Sequence, residues 1–474
     1  MAIRYYIALC LLTLSLPCPA QKALSLQEAQ TDWEFLLSAL KENHKGLYLH
    51  VPQAVTDQKI DSIRTTLEEG MKVESFFKKV NALLALTNEG HTYARLSGKA
   101  RRSLGREATF LPLGIQFLGK TAVVHQYYGD PNPRIKRGLK LLSINGKPME
   151  EIIAELLPYI PTDGFSQTGA YDDLSSAFPY YYRLGFGPYT SFTIDFQELE
   201  ASNIFSLDLE GIKAKQGNEK RRQLTQEVFL SPLVEAKQIN DSVAYLAVNS
   251  FAIRPKELRA WLQARFHEIA QDSIQHLILD IQDNGGGEEG NENLLMAYLN
   301  PSPFQKYAFV SMAKKPFQER AKFKEMRLDK WALEGSEARR GDFTLQSDYF
   351  SETGHSLPDS SLVFSGKLYV LTGAETFSGG AEFASMIKMT GRGILVGEET
   401  GGAYEGNVSG YSKRVTLPHS RINVSLPIVH FRMNVEPEVS SRGVLPDYVV
   451  PQSWGDYLAG RNSKLQFVLD QLIK

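Results

Sequence analysis

The sequence predicts a layered α/β domain at its C-terminal end, preceded by a helical N-terminal domain and a β-rich middle module. Three patterns carry this reading. After Gln238 strands and helices take turns, which argues for helices packed on a largely parallel sheet. Between Leu24 and Leu86 apolar residues recur at helical spacing. Between Phe110 and about Lys237 short strands and turns dominate. A chain of 474 residues exceeds what one hydrophobic core usually organises. The divisions read as 1–20, 21–104, 105–237 and 238–474.

Residues 1–20 read as a secretory signal peptide that is later removed. Arg4 gives a positive start, Ile7 to Leu16 an apolar run too short to span a bilayer, and Pro17-Cys18-Pro19-Ala20 a small-residue end. The implied location is secreted or periplasmic. Pro17 argues against a lipid anchor on Cys18. Both cysteines, Cys10 and Cys18, fall in this segment, so the mature chain has no disulfide, thiol or cysteine–metal chemistry. The net charge of −2 favours neither nucleic acid nor an anionic membrane, and nothing later resembles a membrane span.

In the helical domain Trp33, Phe35, Leu36, Leu37 and Leu40 mark one helix, and Phe76, Val80, Leu83, Leu84 and Leu86 another, with Gly90 as a terminator. A basic link from Ser97 to Arg106 follows. In the middle module Leu113–Phe117, Ala122–Gln126 and the stretch from Gly138 into the Asn145-Gly146 turn read as strands, and Met149–Leu157 as a helix. Tyr171 to Tyr189, rich in Tyr, Phe, Gly and Pro, reads as an irregular surface. In the last domain the strands are Ser242–Val248, Leu277–Ile281, Lys367–Thr372 and Ile394–Gly397. Its helices are Pro255–Gln271, Glu292–Leu299 and Gly379–Met389.

Two junctions of that domain can carry chemistry. The strand Leu277–Ile281 runs into Asn284-Gly285-Gly286-Gly287, whose bare backbone admits close approach. It lacks the Lys-Ser/Thr of a phosphate loop and the spacing of a dinucleotide fingerprint. The strand Lys367–Thr372 delivers Ser378 to the start of a helix, where free N–H groups and a partial positive charge favour an alkoxide. Taken alone, the first is a flexible turn and the second a helix cap.

Together they resemble the tail-specific (C-terminal processing) proteases. That family has a D-x-R-x-N-x-G-G loop, an S-A-x-E nucleophile turn, a V-G-x-x-T-x-G strand and a closing G-x-x-P-D. Here these look like Asp280–Gly287, Ser378–Glu382, Val396–Gly402 and Gly443–Asp447. The resemblance runs in order from about Ser242 to Val450. It implies a crotonase-like α/β core of the type also seen in Clp proteases, with Ser378 as nucleophile and the Gly286 and Gly379 N–H groups as oxyanion donors. Leu113-Gly114-Ile115 and the Gly138–Lys147 hairpin look like a PDZ-like domain, which holds the end of an extended peptide on a strand edge.

The family's usual lysine base is missing. Its register falls at Gly401-Gly402-Ala403, no lysine lies between Lys388 and Lys413, and Lys388 sits three turns along the helix that Ser378 begins. A branch resembling the tricorn core and the interphotoreceptor retinoid-binding protein instead draws a histidine from a G-H-T turn after an N-terminal helix. Gly90-His91-Thr92 matches it, and a neutral imidazole suits a general base. His419 and His430 have no matching motif; His44 and His50 read as surface residues. That branch also has a serine before the histidine and a glutamate before the closing motif. Gly90 and Ser440 stand there, leaving Glu438, or Glu436, as the orienting acid.

The implied activity is that of a serine endopeptidase on peptide or protein substrates, needing no metal or cofactor. A catalytically silent ligand binder on the same fold is the alternative. A lipase-like esterase is disfavoured, since Thr376 stands where the Gly-x-Ser-x-Gly elbow needs glycine.

Overall fold

In the computed structural model the described residues are 23–198, 203–228, 232–300, 302, 304–313, 337–339, 342–345, 358–436 and 439–473. The expected signal peptide and Glu438 lie outside them.

The core of the last domain is a six-stranded sheet. In spatial order its strands are Val234–Asn240, Val243–Val248, His276–Asp280, Lys367–Thr372, Ile394–Gly397 and Tyr448–Val449. All are parallel to their neighbours except the first, which pairs antiparallel with the second. Leu277, Ile278 and Leu279 are fully buried, as both-face coverage of a parallel strand requires. The helices Pro255–Gln271, Asn291–Ala297 and Gly379–Thr390 bury Leu258, Leu262, Phe266, Leu295, Phe383 and Ile387 in the same cluster.

A second sheet of this domain is built on a long hairpin, Gly406–Thr416 with Asn423–Met433, extended by Tyr307–Ala313. Beside Tyr307–Ala313, on the same edge of Asn423–Met433 but at its beginning, a strand from the start of the chain, Tyr93–Arg95, pairs in antiparallel register with Asn423–Ser425. The helices Leu26–Asn43 and Val73–Ala85 share a hydrophobic cluster with Val415, Leu417, Ile422, Val424 and Leu426 of the hairpin. Each fully buried aliphatic side chain there contributes about 1.5–3 kcal/mol.

The middle module is an antiparallel sheet in the order Ile204–Glu210, Ser191–Gln197, Lys140–Ile144, Thr121–Tyr127, Leu113–Leu118. The Asn145-Gly146 turn forms with positive φ at both residues. Tyr171 to Tyr189 departs from expectation: Gln167–Phe186 is a helix. Leu174, Phe178 and Tyr182 point into the module's core, and a break at Ala177 (φ −139°) accommodates Pro179. Within the expected link, Gly98–Leu104 is likewise helical, capped by Ser97. Gly90 does not end the preceding helix. Asn88 takes the left-handed conformation (φ 49°), and Gly90 is required because a Cβ there would stand 2.9 Å from the Phe377 ring.

Among the described residues no helix is long and apolar enough to cross a membrane.

Candidate active site

The Lys367–Thr372 strand ends in a loop stitched to its neighbour. Thr376 Oγ1 donates to the Ile281 carbonyl (2.9 Å) and accepts from Gly373 N–H (3.0 Å), and Phe377 N–H donates to the Asn284 carbonyl (3.0 Å). These bonds turn the chain sharply into the helix Gly379–Thr390 and hold Ser378 at φ 51°, ψ −127°. A non-glycine residue there is strained by about 1–3 kcal/mol. The Ser378 hydroxyl makes no capping bond to its helix, so the bland role open to it is unfilled. Gly379, first in the helix, has an N–H with no intrahelical acceptor.

The Asn284–Gly287 loop lies directly against this turn. Gly286 takes φ 91°, and a Cβ on it would stand 2.8 Å from Ser378 Cβ and from Gly379 N. Its N–H, however, donates to Asn284 Oδ1 at 2.9 Å. The expected pair of oxyanion donors is therefore not presented as a pair: the Gly286 amide is engaged locally, by an Asx turn.

His91 comes from the other end of the chain. Gly90 N–H donates to Asp163 Oδ1 (2.8 Å), Glu89 Oε2 accepts from Val408 N–H (2.9 Å), and Thr92 Oγ1 meets His44 Nε2 at 2.6 Å. So held, the imidazole stacks on Phe377, the residue before Ser378, with ring centres 4.7 Å apart and planes at 27°. Its Nδ1 is sealed from solvent and has no hydrogen-bond partner. Burial pushes the ring's pKa down to about 4, a fall that the nearby Glu382 carboxylate opposes. The first and last parts of the chain thus bring an imidazole beside the turn that carries Ser378.

Beneath the helix start lies a charge cluster around the buried Lys306, whose convergence no sequence signal marked and whose outer member, Glu289, is exposed. Lys306 Nζ, fully buried, meets Glu292 (2.7 Å), Glu382 (2.8 Å) and Glu289 (3.5 Å). Tyr307 Oη donates to Glu382 at 2.6 Å. Burial alone would lower the Lys306 pKa, but the three carboxylates hold it well above the usual lysine value. The carboxylates converge as a metal site would, yet an ammonium already lies among them. A Cβ on Gly379 would stand 3.7 Å from Glu292 Oε2, so the cluster underlies the nucleophile turn.

The remaining expectations divide. Lys388 donates to the Leu445 carbonyl (2.7 Å), away from Ser378. Glu436 is exposed, and Ser440 Oγ donates to Glu405 (3.0 Å). His419 lies 3.4 Å from Glu28. His430 is buried edge-on to Phe309, and burial pushes its pKa down to about 4. His44 and His50 are not surface residues: His44 is buried beside Thr92, and His50 links Ser441 (2.9 Å) to Glu89 (3.3 Å). Both pack where the N-terminal helices meet the last domain, a contact that local periodicity does not report. Asn284 and Glu382 stood within the recognised motifs and Phe377 directly before one, but their roles depend on contacts far apart in sequence.

Comparison with known proteins bears on this geometry. Residues 242–450 match peptidase family S41, a span holding both junctions and the closing Gly443–Asp447. This segment is a peptidase family S41 domain. By that domain the chain is a serine peptidase. Among curated proteins none matches it. Among solved structures it is similar to mature CPAF complexed with lactacystin, with TM-score 0.64 at 14% identity over 94% of this chain and 99% of that one. Mature CPAF alone gives 0.61 at 14%, covering 91% and 94%. A putative peptidase from Parabacteroides merdae gives 0.47 at 12%, covering 95% and 98%. At these identities the likeness to CPAF is one of fold: a layered α/β core with further domains around it. The S41 domain of this chain holds Ser378; His91 lies outside it.

Proposed function

We propose that this chain is an exported serine endopeptidase in which Ser378 is the nucleophile and His91 its general base. One observation carries the assignment: a strained, uncapped serine hydroxyl at a helix start, beside a buried imidazole stacked on the preceding residue. Ser378 Oγ attacks a peptide carbonyl carbon, and its proton passes to the imidazole. The tetrahedral oxyanion is held by the Gly379 N–H and, once Asn284 releases it, by the Gly286 N–H, each contributing on the order of 3 kcal/mol. As the C–N bond breaks, the imidazolium protonates the leaving amine, and water then repeats the sequence on the acyl-enzyme.

Export follows from the Arg4 to Ala20 pattern, with a secreted or periplasmic location. The division into 21–104, 105–237 and 238–474 draws support from separate hydrophobic clusters, although Phe110, Leu184 and Ile212 of the middle module and Val415 to Leu426 of the hairpin share the first domain's cluster. The middle module would act as a PDZ-like presenter of C-terminal ends. At its edge strand Leu113–Leu118, Phe117 N–H donates to Ser175 Oγ of the helix Gln167–Phe186 (3.2 Å), so a peptide entering there must displace that bond.

The second reading, a silent ligand binder, draws on the engaged Gly286 N–H. A fluorophosphonate probe separates the two. Covalent labelling of the purified chain, lost in Ser378→Ala together with peptide hydrolysis, is the expected result. An unlabelled wild-type chain excludes the peptidase mechanism, and a labelled Ser378→Ala chain excludes this nucleophile.

A further inference from the structure

His91 needs a group to orient its ring, and on the reading above that group must meet Nδ1 while Nε2 faces Ser378. Glu436 is exposed and Ser440 is turned to Glu405. The interior offers another candidate. Asn407 is 2% exposed, and its Nδ2 donates to Glu382 Oε1 at 3.3 Å. Its Oδ1 is sealed from solvent with no hydrogen-bond partner.

His91 Nδ1 and Asn407 Oδ1 are thus two buried polar atoms, each without a partner, and each such orphan costs about 1–3 kcal/mol. One can donate and the other can only accept. Both belong to groups gathered around Glu382: the carboxylate that Asn407 bonds is also the charge that acts on the His91 ring. The backbone ties the same two places together, because Val408, next to Asn407, donates to Glu89, two residues before His91. The segment leading into the strand of Asn407 packs along the nucleophile helix as well. A Cβ on Gly402 would stand 3.1 Å from Ser378 N, and Ser385 Oγ lies 3.2 Å from the Tyr404 carbonyl.

We propose that Asn407 is the positioning residue for His91. In the working enzyme Asn407 Oδ1 accepts the His91 Nδ1–H, while Asn407 Nδ2–H continues to the Glu382 carboxylate. The amide fixes the tautomer, leaving the Nε2 lone pair for the Ser378 proton. When the imidazolium forms, its charge faces the amide dipole and, behind it, a carboxylate already anchored by Lys306 and Tyr307. This bond requires a tilt of the ring on Phe377 and an adjustment of the Asn407 side chain. Asn407 then fills the role that the sequence suggested for Glu438.

The test reads the imidazole directly. In the full chain labelled at histidine, heteronuclear NMR at neutral pH should find His91 protonated on Nδ1. Asn407→Ala should shift that balance toward Nε2 and lower kcat on the order of 10²-fold, with KM held within about twofold. A structural role alone would move stability and not the tautomer. A wild-type ring protonated on Nε2 overturns the proposal without need of a folded variant; so does Asn407→Ala with unchanged kcat. The inference rests on the Ser378–His91 reading, and fluorophosphonate labelling tells the two failures apart. Labelling with an unchanged Asn407→Ala rate removes Asn407 alone, while absence of wild-type labelling removes both.

Discussion

The imidazole of His91 is a base whose surroundings keep it uncharged. Burial lowers its pKa to about 4, and Glu382 offsets only part of that. A general base must be deprotonated to act, so a lowered pKa carries activity to lower pH. The acid limb of kcat/KM should therefore fall well below the ordinary imidazole value of about 6.5, with activity lost as pH drops through about 4 to 5. A limb at or above the ordinary value would remove His91 from this role. Ser378 depends on its neighbours in a complementary way. Its positive φ is held by Thr376 and Asn284 bonds from two loops, and only a glycine at 286 lets those loops approach so closely.

At the scale of elements, the strand Tyr93–Arg95 and the hairpin it joins determine where the imidazole stands. Leu426, 1% exposed, lies in the cluster shared by the hairpin and the N-terminal helices. Leu426→Ala should lower unfolding free energy by about 2–5 kcal/mol in denaturant titration. It should also slow fluorophosphonate labelling, because the surface that seats the His91 turn loosens. Full stability would show that this cluster does not bind the two parts together. The elements around the site were legible where periodicity and boundaries agree. Pro255–Gln271, Lys367–Thr372 and Ile394–Gly397 fall where the pattern put them. The helix Gln167–Phe186 was not, since Pro179 and two glycines read as breakers, while burial of Leu174, Phe178 and Tyr182 overrides them. The strand Tyr93–Arg95 was invisible because three residues pair with partners more than three hundred positions away. Lys306 and Asn407 escaped notice for a similar reason: a buried charge or amide is defined by what surrounds it.

For the whole molecule, the contact where the first, middle and last parts meet carries two buried carboxyls, Glu89 and Asp163. Burial raises Glu89 to about 8, and burial together with the neighbouring Glu89 raises Asp163 well above its usual value. A carboxyl whose folded pKa is raised favours folding below its unfolded value of about 4.5, and that contribution is lost as pH rises through the folded pKa. Above about pH 6.5 the buried histidines are neutral in both states and no longer oppose the trend. The thermal midpoint should therefore decline between about pH 6.5 and 8.5, and Glu89→Gln should flatten the decline. A midpoint that is level with pH, or unaffected by that change, would show that these carboxyls do not govern the contact.

The pairing of Tyr93–Arg95 with Asn423–Ser425 has an effect on timing. During synthesis His91 is made early and Ser378 late, but the hairpin that brings them together is finished only after Met433. Until then a nascent chain holds both chemical groups and no working centre. On the proposed mechanism, the power to cut polypeptide arises only when nearly all of this polypeptide has already folded, which shields the protein from its own unfinished copies.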